Sequence, residues 1–274
     1  FIMRKVFNYL ENEKQNFTTN ILGKIFLRIV IQKKVMSSFG GCIKALISGG
    51  AALSPQIGGF FNKMGFNLLQ GYGQTEAAPL IACNKRKYND PKTVGFPVKN
   101  VEVKISSENE ILVKGNNVMI GYWRKKKLTE ETIKNKWLHT GDLGYFDNIG
   151  RIIINGRKKD LIVTSGGDNI SVQKLETLLT EQIEIDQAVV FGDNKPFLVA
   201  VVVSDQKFNS KIIKNIINKI NKKLNSVEKI RKFLLFHKPF SYEDGLLTQT
   251  HKIKREKVNM KFSQEINKLY STLK

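Results

Sequence analysis

Apolar positions recur at helical spacing among Lys, Asn and Glu over residues 4–37, with no proline, and predict a long helix that Gly40-Gly41 ends. Its most apolar run, residues 25–31, is broken by Arg28 and flanked by Lys24 and Lys33, so it is too short and too charged to span a bilayer. Residues 43–47 then read as a short buried strand leading into Ser48-Gly49-Gly50-Ala51-Ala52. Ser54-Pro55 opens a helix through about residue 64, because a proline in the first turn gives up no helical hydrogen bond. Residues 66–70 form a second buried strand that ends in a turn at Gly71-Tyr72-Gly73. Strand, helix and strand with glycines at the strand ends predict part of a parallel α/β sheet over residues 1–92.

From residue 93 to 155 the period changes to two. Residues 101–105, 110–113 and 151–154 alternate or run apolar, with turns at Asn116-Asn117 and Asp147-Asn148. This predicts a small antiparallel β subdomain. A boundary falls at Gly156-Arg157-Lys158-Lys159. Beyond it come strands at 161–164, 188–192, 197–204 and 232–237, a helix from Ser171, a helix at about 206–224 and a closing helix from Arg255. The fold class is therefore α/β plus α+β. The partial parallel sheet and the antiparallel β subdomain make up residues 1–155, and a compact α+β domain makes up 156–274.

Charge changes this picture little. Lys and Arg number 45 against 24 Asp and Glu, a formal net charge of +21 in 274 residues. Such an excess invites a nucleic-acid or membrane reading. The lysines are spread along the chain and no nucleic-acid module is recognisable, so a solvated Lys/Asn-rich surface is the plainer reading. Peripheral contact with an anionic membrane stays open, and no nucleic-acid partner is expected. Cys42 and Cys83 make no C-x-x-C pattern and read as packing residues in a reduced, cytoplasmic setting. His139, His237 and His251 lack zinc-ligand spacing.

Several short constellations could carry chemistry. Gly49, Gly50 and Ala51 are either a plain strand-to-helix turn or a seat where a flat ring can approach backbone. Tyr72, after the neighbouring strand, could present an aromatic face to a purine. Thr75 and Glu76 are either a helix N-cap with an acidic partner or oxygen ligands suited to phosphate and Mg2+. Asp142, in the glycine-flanked loop Thr140-Gly141-Asp142, is either an Asx-turn or a carboxylate able to accept two hydroxyls. By itself, Lys252 is one cation in a basic cluster with Lys254, Arg255 and Lys257.

Taken in order, Gly71-Tyr72-Gly73-Gln74-Thr75-Glu76, Trp137-Leu138-His139-Thr140-Gly141-Asp142, Gly156-Arg157-Lys158-Lys159-Asp160, Thr164-Ser165-Gly166-Gly167-Asp168-Asn169-Ile170-Ser171 and Leu247-Thr248-Gln249-Thr250-His251-Lys252 resemble the adenylate-forming enzymes. The resemblance is strongest to the long-chain fatty acid–CoA ligases and runs from about Phe39 onward. It implies an AMP-forming activation of a fatty acid by ATP, with Mg2+, followed by transfer to coenzyme A. An adenylating enzyme for another carboxylic acid and a non-catalytic remnant are the alternative readings. It assigns adenine contacts to Gly49, Gly50, Ala51 and Tyr72, phosphate and metal to Thr75 and Glu76, ribose to Asp142, a nucleotide contact to Arg157, the domain hinge to Lys159, the pantetheine path to Gly166 and Gly167, and the catalytic cation to Lys252. The family's phosphate loop ending in Gly-x-Pro-Lys is not found in this sequence, so a missing N-terminal half of the same enzyme is the expected partner. Gln249 and Val172 stand where the family favours proline.

Overall fold

The computed structural model describes residues 33, 34 and 36–271. The helix expected over residues 4–37 lies almost wholly outside them; residues 33, 34 and 36–38 are helical. The chain divides into two compact units, one through Asn155 and one from Gly156.

In the first unit, β1 (Leu46–Ser48), α1 (Pro55–Lys63) and β2 (Leu68–Gly73) form the expected strand–helix–strand, with Pro55 in the first turn of α1. β1 and β2 are parallel, Leu46 opposite Leu68 and Ser48 opposite Gln70. β3 (Leu80–Cys83) and β4 (Phe96–Pro97) continue that sheet antiparallel, in the order β1-β2-β3-β4. Two sequence expectations are corrected here. β1 is not a buried strand: among the described residues it ends the sheet, and Ile47 is 72% exposed. Gly71-Tyr72-Gly73 is not a turn but the end of β2, paired with Cys83, Ala82 and Leu80.

A second sheet follows, from β5 (Val101–Ile105), β6 (Glu110–Gly115), β7 (Ile133–Lys134), β8 (Trp137–Phe146) and β9 (Ile152–Arg157). Its order is β5-β6-β8-β7, with β9 also on β8. α2 (Lys126–Thr132) sits between β6 and β7. Tyr72, Ile81 and Val94 pack in one cluster with Ile111, Val113, Leu138 and Ile152, so both sheets share a core.

The second unit contains a hairpin of β10 (Leu161–Val163) and β11 (Asn169–Ser171), then α3 (Val172–Thr180), β12 (Gln187–Phe191), β13 (Leu198–Val203), α4 (Ser210–Asn221), β14 (Ile230–Phe236), α5 (Arg255–Lys261) and α6 (Ser263–Ser271). β13 is the middle strand, antiparallel to β12 and parallel to β14. Successive side chains of a strand point to opposite faces. Leu198, Ala200 and Val202 accordingly meet Leu175, Leu179, Ile213 and Ile217 of α3 and α4. Val199, Val201 and Val203 meet Val258, Phe262 and Ile266 from the C-terminal helices. A strand covered on both faces has no polar side, which is why 198–203 reads as an unbroken apolar run. Asn209 caps α4 by accepting from the Lys211 and Ile212 amides at 3.1 Å each. The single closing helix expected from Arg255 is two, because Phe262 leaves the helical region at φ −110° and ψ 19°.

Candidate active site

The ends of β1 and β2 lie side by side, since the strands are parallel and in register up to Ser48 and Gln70. Ligands of open α/β sheets bind at the carboxyl ends of such strands. Gly49 and Gly50 follow β1, and Thr75 and Glu76 follow β2. A β-carbon on Gly49 would come within 3.3 Å of the Gly71 carbonyl oxygen, and Gly50 is left-handed at φ 80°. A β-carbon on Gly73 would overlap the Pro79 carbonyl. The chain can therefore double back after β2 only with glycine there, and the Gln74 amide closes the loop on the Pro79 carbonyl at 2.8 Å.

Thr75–Ala77 form one 3-10 turn. It is clamped by the segment after β6: the Met119 amide donates to the Glu76 carbonyl at 2.8 Å, and the Asn117 side-chain amide to the Ala77 carbonyl at 2.9 Å. The Tyr122 hydroxyl donates to Glu76 Oε1 at 2.9 Å. Burial and the facing Glu76 carboxylate hold the Tyr122 phenol above its ordinary pKa, so it remains a donor. One carboxylate oxygen is thus oriented from behind.

Asp142 does not sit in a loop, as the sequence suggested, but within β8. Leu112 pairs with His139 and Glu110 with Leu143, so Thr140, Gly141 and Asp142 bulge against the single residue Ile111. Gly141 takes φ 71° to allow it. Glu110, which is buried, holds the bulge from β6: its carboxylate accepts from the Gly141 amide at 2.9 Å and contacts His139 Nδ1 at 3.1 Å. Thr140 Oγ1 donates to the Ile111 carbonyl at 2.7 Å and accepts from the Asp142 amide at 3.1 Å. The bulge aims Asp142 at β2, where its Oδ2 accepts from the Tyr72 hydroxyl at 2.7 Å. Two segments separated by 70 residues, one read for a purine and one for a ribose, meet in this hydrogen bond.

A magnesium ion would find Glu76 there. Among the described residues no cluster of three or more His, Cys, Asp or Glu could hold a metal. One carboxylate with its second oxygen uncommitted to Tyr122 suits an ion that keeps its waters and is brought by substrate phosphates.

The remaining sequence-derived residues belong to the second unit. Arg157 and Lys159 are exposed, Lys159 in a 3-10 turn after β9. Gly166 and Gly167 form the tip between β10 and β11. The Thr164 amide donates to the Asp168 carbonyl at 3.1 Å, the Gly167 amide to the Thr164 carbonyl at 2.9 Å, and Gly167 is left-handed at φ 85°. Lys252 is exposed on a tight reversal. Leu247 bridges Ile253, the Thr248 amide donates to the Lys252 carbonyl at 2.8 Å, and the Lys252 amide to Thr248 Oγ1 at 3.0 Å. That reversal is fixed at its far end by Arg255. Its guanidinium donates to the Val190 carbonyl at 2.7 Å and to Glu176 at 2.9 Å, while Glu176 accepts from the Val190 amide at 2.8 Å. Burial pushes the Glu176 carboxyl up against the opposing pull of Arg255.

Sequence reasoning missed Glu110, Tyr122 and Glu176. Each is a polar side chain acting on another functional segment from a distant point in the chain, and only Glu110 left a trace, as an acidic residue heading an apolar strand.

The chain is 36% identical over 273 residues to long-chain-fatty-acid–CoA ligase FadD15 of Mycobacterium bovis, covering 90% of this chain and 45% of that protein. The chain thus spans about half the length of the curated relatives it matches. The adenylation domain of a carboxylate reductase from Mycobacterium chelonae superposes with a TM-score of 0.77 at 22% identity, over 98% of this chain and 45% of that one. O-succinylbenzoate coenzyme A synthetase of Bacillus subtilis, solved with AMP, gives 0.69 at 25% identity over 83% and 48%. The AMP-binding enzyme family matches residues 3–123 and the AMP-binding enzyme C-terminal domain matches 159–274, and with these two matches side by side the chain belongs to the AMP-binding, adenylate-forming enzymes.

Proposed function

We propose that this chain carries the nucleoside-binding and acyl-transfer parts of a ligase that activates a long-chain fatty acid with ATP and passes it to coenzyme A. The Tyr72–Asp142 hydrogen bond carries this reading, because it joins the two segments assigned to adenine and ribose in one buried spot. In the first half-reaction a fatty acid carboxylate oxygen attacks the α-phosphorus of ATP and pyrophosphate leaves. Asp142 accepts from the ribose hydroxyls, the small residues Gly49, Gly50 and Ala51 with Tyr72 flank the base, and Thr75 meets phosphate oxygen. Magnesium, when bound beside Glu76, neutralises phosphate charge. Lys252 places an ammonium where charge builds on the carboxylate and α-phosphate. In the second half-reaction the coenzyme A sulfur attacks the acyl carbon and AMP leaves. Arg157 contacts the nucleotide, rotation at Lys159 exchanges the two surfaces, and the Gly166-Gly167 tip lines the thiol's path.

The long-chain assignment draws on the fatty acyl relatives. A second reading, a ligase for another carboxylic acid, is favoured by the likeness to the O-succinylbenzoate enzyme. Thioester formation from supplied acyl-adenylates separates them, since it needs no β- or γ-phosphate site. With coenzyme A present, palmitoyl-AMP is expected to give palmitoyl-CoA and AMP faster than benzoyl-AMP gives its thioester. The reverse order supports the second reading, and no thioester from either contradicts the transfer role.

A further inference from the structure

The segment from Val118 to Trp137 combines features that the nucleotide reading does not use, and the inference drawn from it stands independently of that reading. Ile120 is fully exposed, and Trp123 is 84% and Leu128 41% exposed. Arg124, Lys125, Lys126 and Lys127 follow without interruption, and six Lys/Arg stand against two Glu between residues 118 and 137. Lys126 and Glu130 approach to 3.9 Å with both side chains in solvent, which neutralises little.

This display is built, not slack. The Tyr122 amide donates to Thr129 Oγ1 at 2.9 Å, the Thr129 amide to the Lys125 carbonyl at 3.0 Å, and the Met119 amide to the Glu76 carbonyl at 2.8 Å. Tyr122 faces inward onto Glu76 while its neighbour Trp123 faces out. Arg124 is held left-handed at φ 52°, a conformation a long side chain adopts only under constraint. Arg124 also lies over the Trp123 ring, 5.6 Å from its centroid.

A covering protein surface would match the apolar residues and leave four adjacent cations to be desolvated, and interface cores are depleted of lysine. A nucleic acid would match the cations and leave Ile120 and Leu128 in water. An anionic bilayer matches both. Indole and aliphatic side chains sit at the headgroup boundary, and adjacent Lys and Arg are drawn to the charged lipid. We propose that residues 118–128 are a docking site for an anionic membrane surface, with Ile120 and Trp123 entering the interface and Arg124–Lys127 pairing with lipid phosphates.

Trp123 and Trp137 are the chain's two tryptophans, so each can be isolated as a reporter. The 274-residue chain is mixed with phosphatidylcholine vesicles and with phosphatidylcholine–phosphatidylglycerol vesicles carrying brominated acyl chains. In W137F, Trp123 emission shifts to the blue and is quenched only with the anionic vesicles. In W123F, with Trp137 as reporter, neither change appears. R124E/K125E lowers the vesicle partition coefficient roughly tenfold or more, and I120S lowers it as well. K211E/K214E, which changes two exposed lysines of α4, leaves it unchanged. Unchanged Trp123 emission on anionic vesicles overturns the proposal. So does an equal loss in K211E/K214E, which would mean diffuse charge attraction, or binding of single-stranded RNA without binding of vesicles.

Discussion

At the scale of single residues, the candidate site depends on backbone conformations that only glycine adopts cheaply. Gly141 sits at φ 71°, and a β-carbon there would have no neighbour within 4 Å. Gly141→Ala therefore isolates the backbone cost, about 1–2 kcal/mol, and urea denaturation of the chain should register a loss of that size. An unaltered midpoint would mean that the bulge relaxes and does not fix Asp142. Gly73→Ala should cost more, since its β-carbon would meet the Pro79 carbonyl. Tyr72 and Asp142 were legible in the sequence, because an aromatic between glycines and a Thr-Gly-Asp string are distinctive. Their mutual hydrogen bond was not, because nothing in the sequence places β8 beside β2. Glu110 was hidden for another reason: alternation marks which side of a strand is apolar, and cannot show an inward carboxylate that satisfies a bulge.

At the scale of elements, sequence periodicity located β2, β5, β6, β12, β13 and α4, each long or strongly patterned. It missed β4 and β7, which are two residues long, and α2, whose sequence KKLTEET offers no apolar stripe. It read β8 as a loop at Thr140–Asp142 because glycine and aspartate signal turns, and a bulge uses the same residues. The reversal bearing Lys252 is joined to α3 and β12 through Arg255, Glu176 and the Val190 peptide. Arg255→Ala removes both links and leaves a largely buried carboxylate without its cation. The second unit should lose about 2–3 kcal/mol in denaturant titrations. The loss in Glu176→Ala/Arg255→Ala should be less than the sum of the single losses. Strict additivity would show that the two side chains do not act as one.

At the scale of the whole molecule, the hydrophobic clusters respect the division at Asn155. Among the described residues, the two cores of the C-terminal unit contain nothing before Ile162, and the core shared by the two N-terminal sheets contains nothing after Ile154. Residues 156–274 expressed alone should therefore unfold in one cooperative transition; a broad, gradual melt would show that the unit needs the rest of the chain. The Gly-Arg-Lys-Lys string between two patterned regions lies at this division, whereas the sharing of one core by the parallel and antiparallel sheets has no sequence counterpart, since long-range packing leaves no local signature. The central claim is that this chain holds a nucleoside by its ribose at Asp142. Calorimetric titration of AMP and of 2′-deoxy-AMP into the wild-type chain and Asp142→Ala tests it most directly. The wild type should favour AMP over the deoxynucleotide, and the variant should lose about 1.5–3 kcal/mol for AMP and bind both nucleotides alike. A variant that binds AMP as the wild type does, or that still prefers AMP to the deoxynucleotide, would contradict the account.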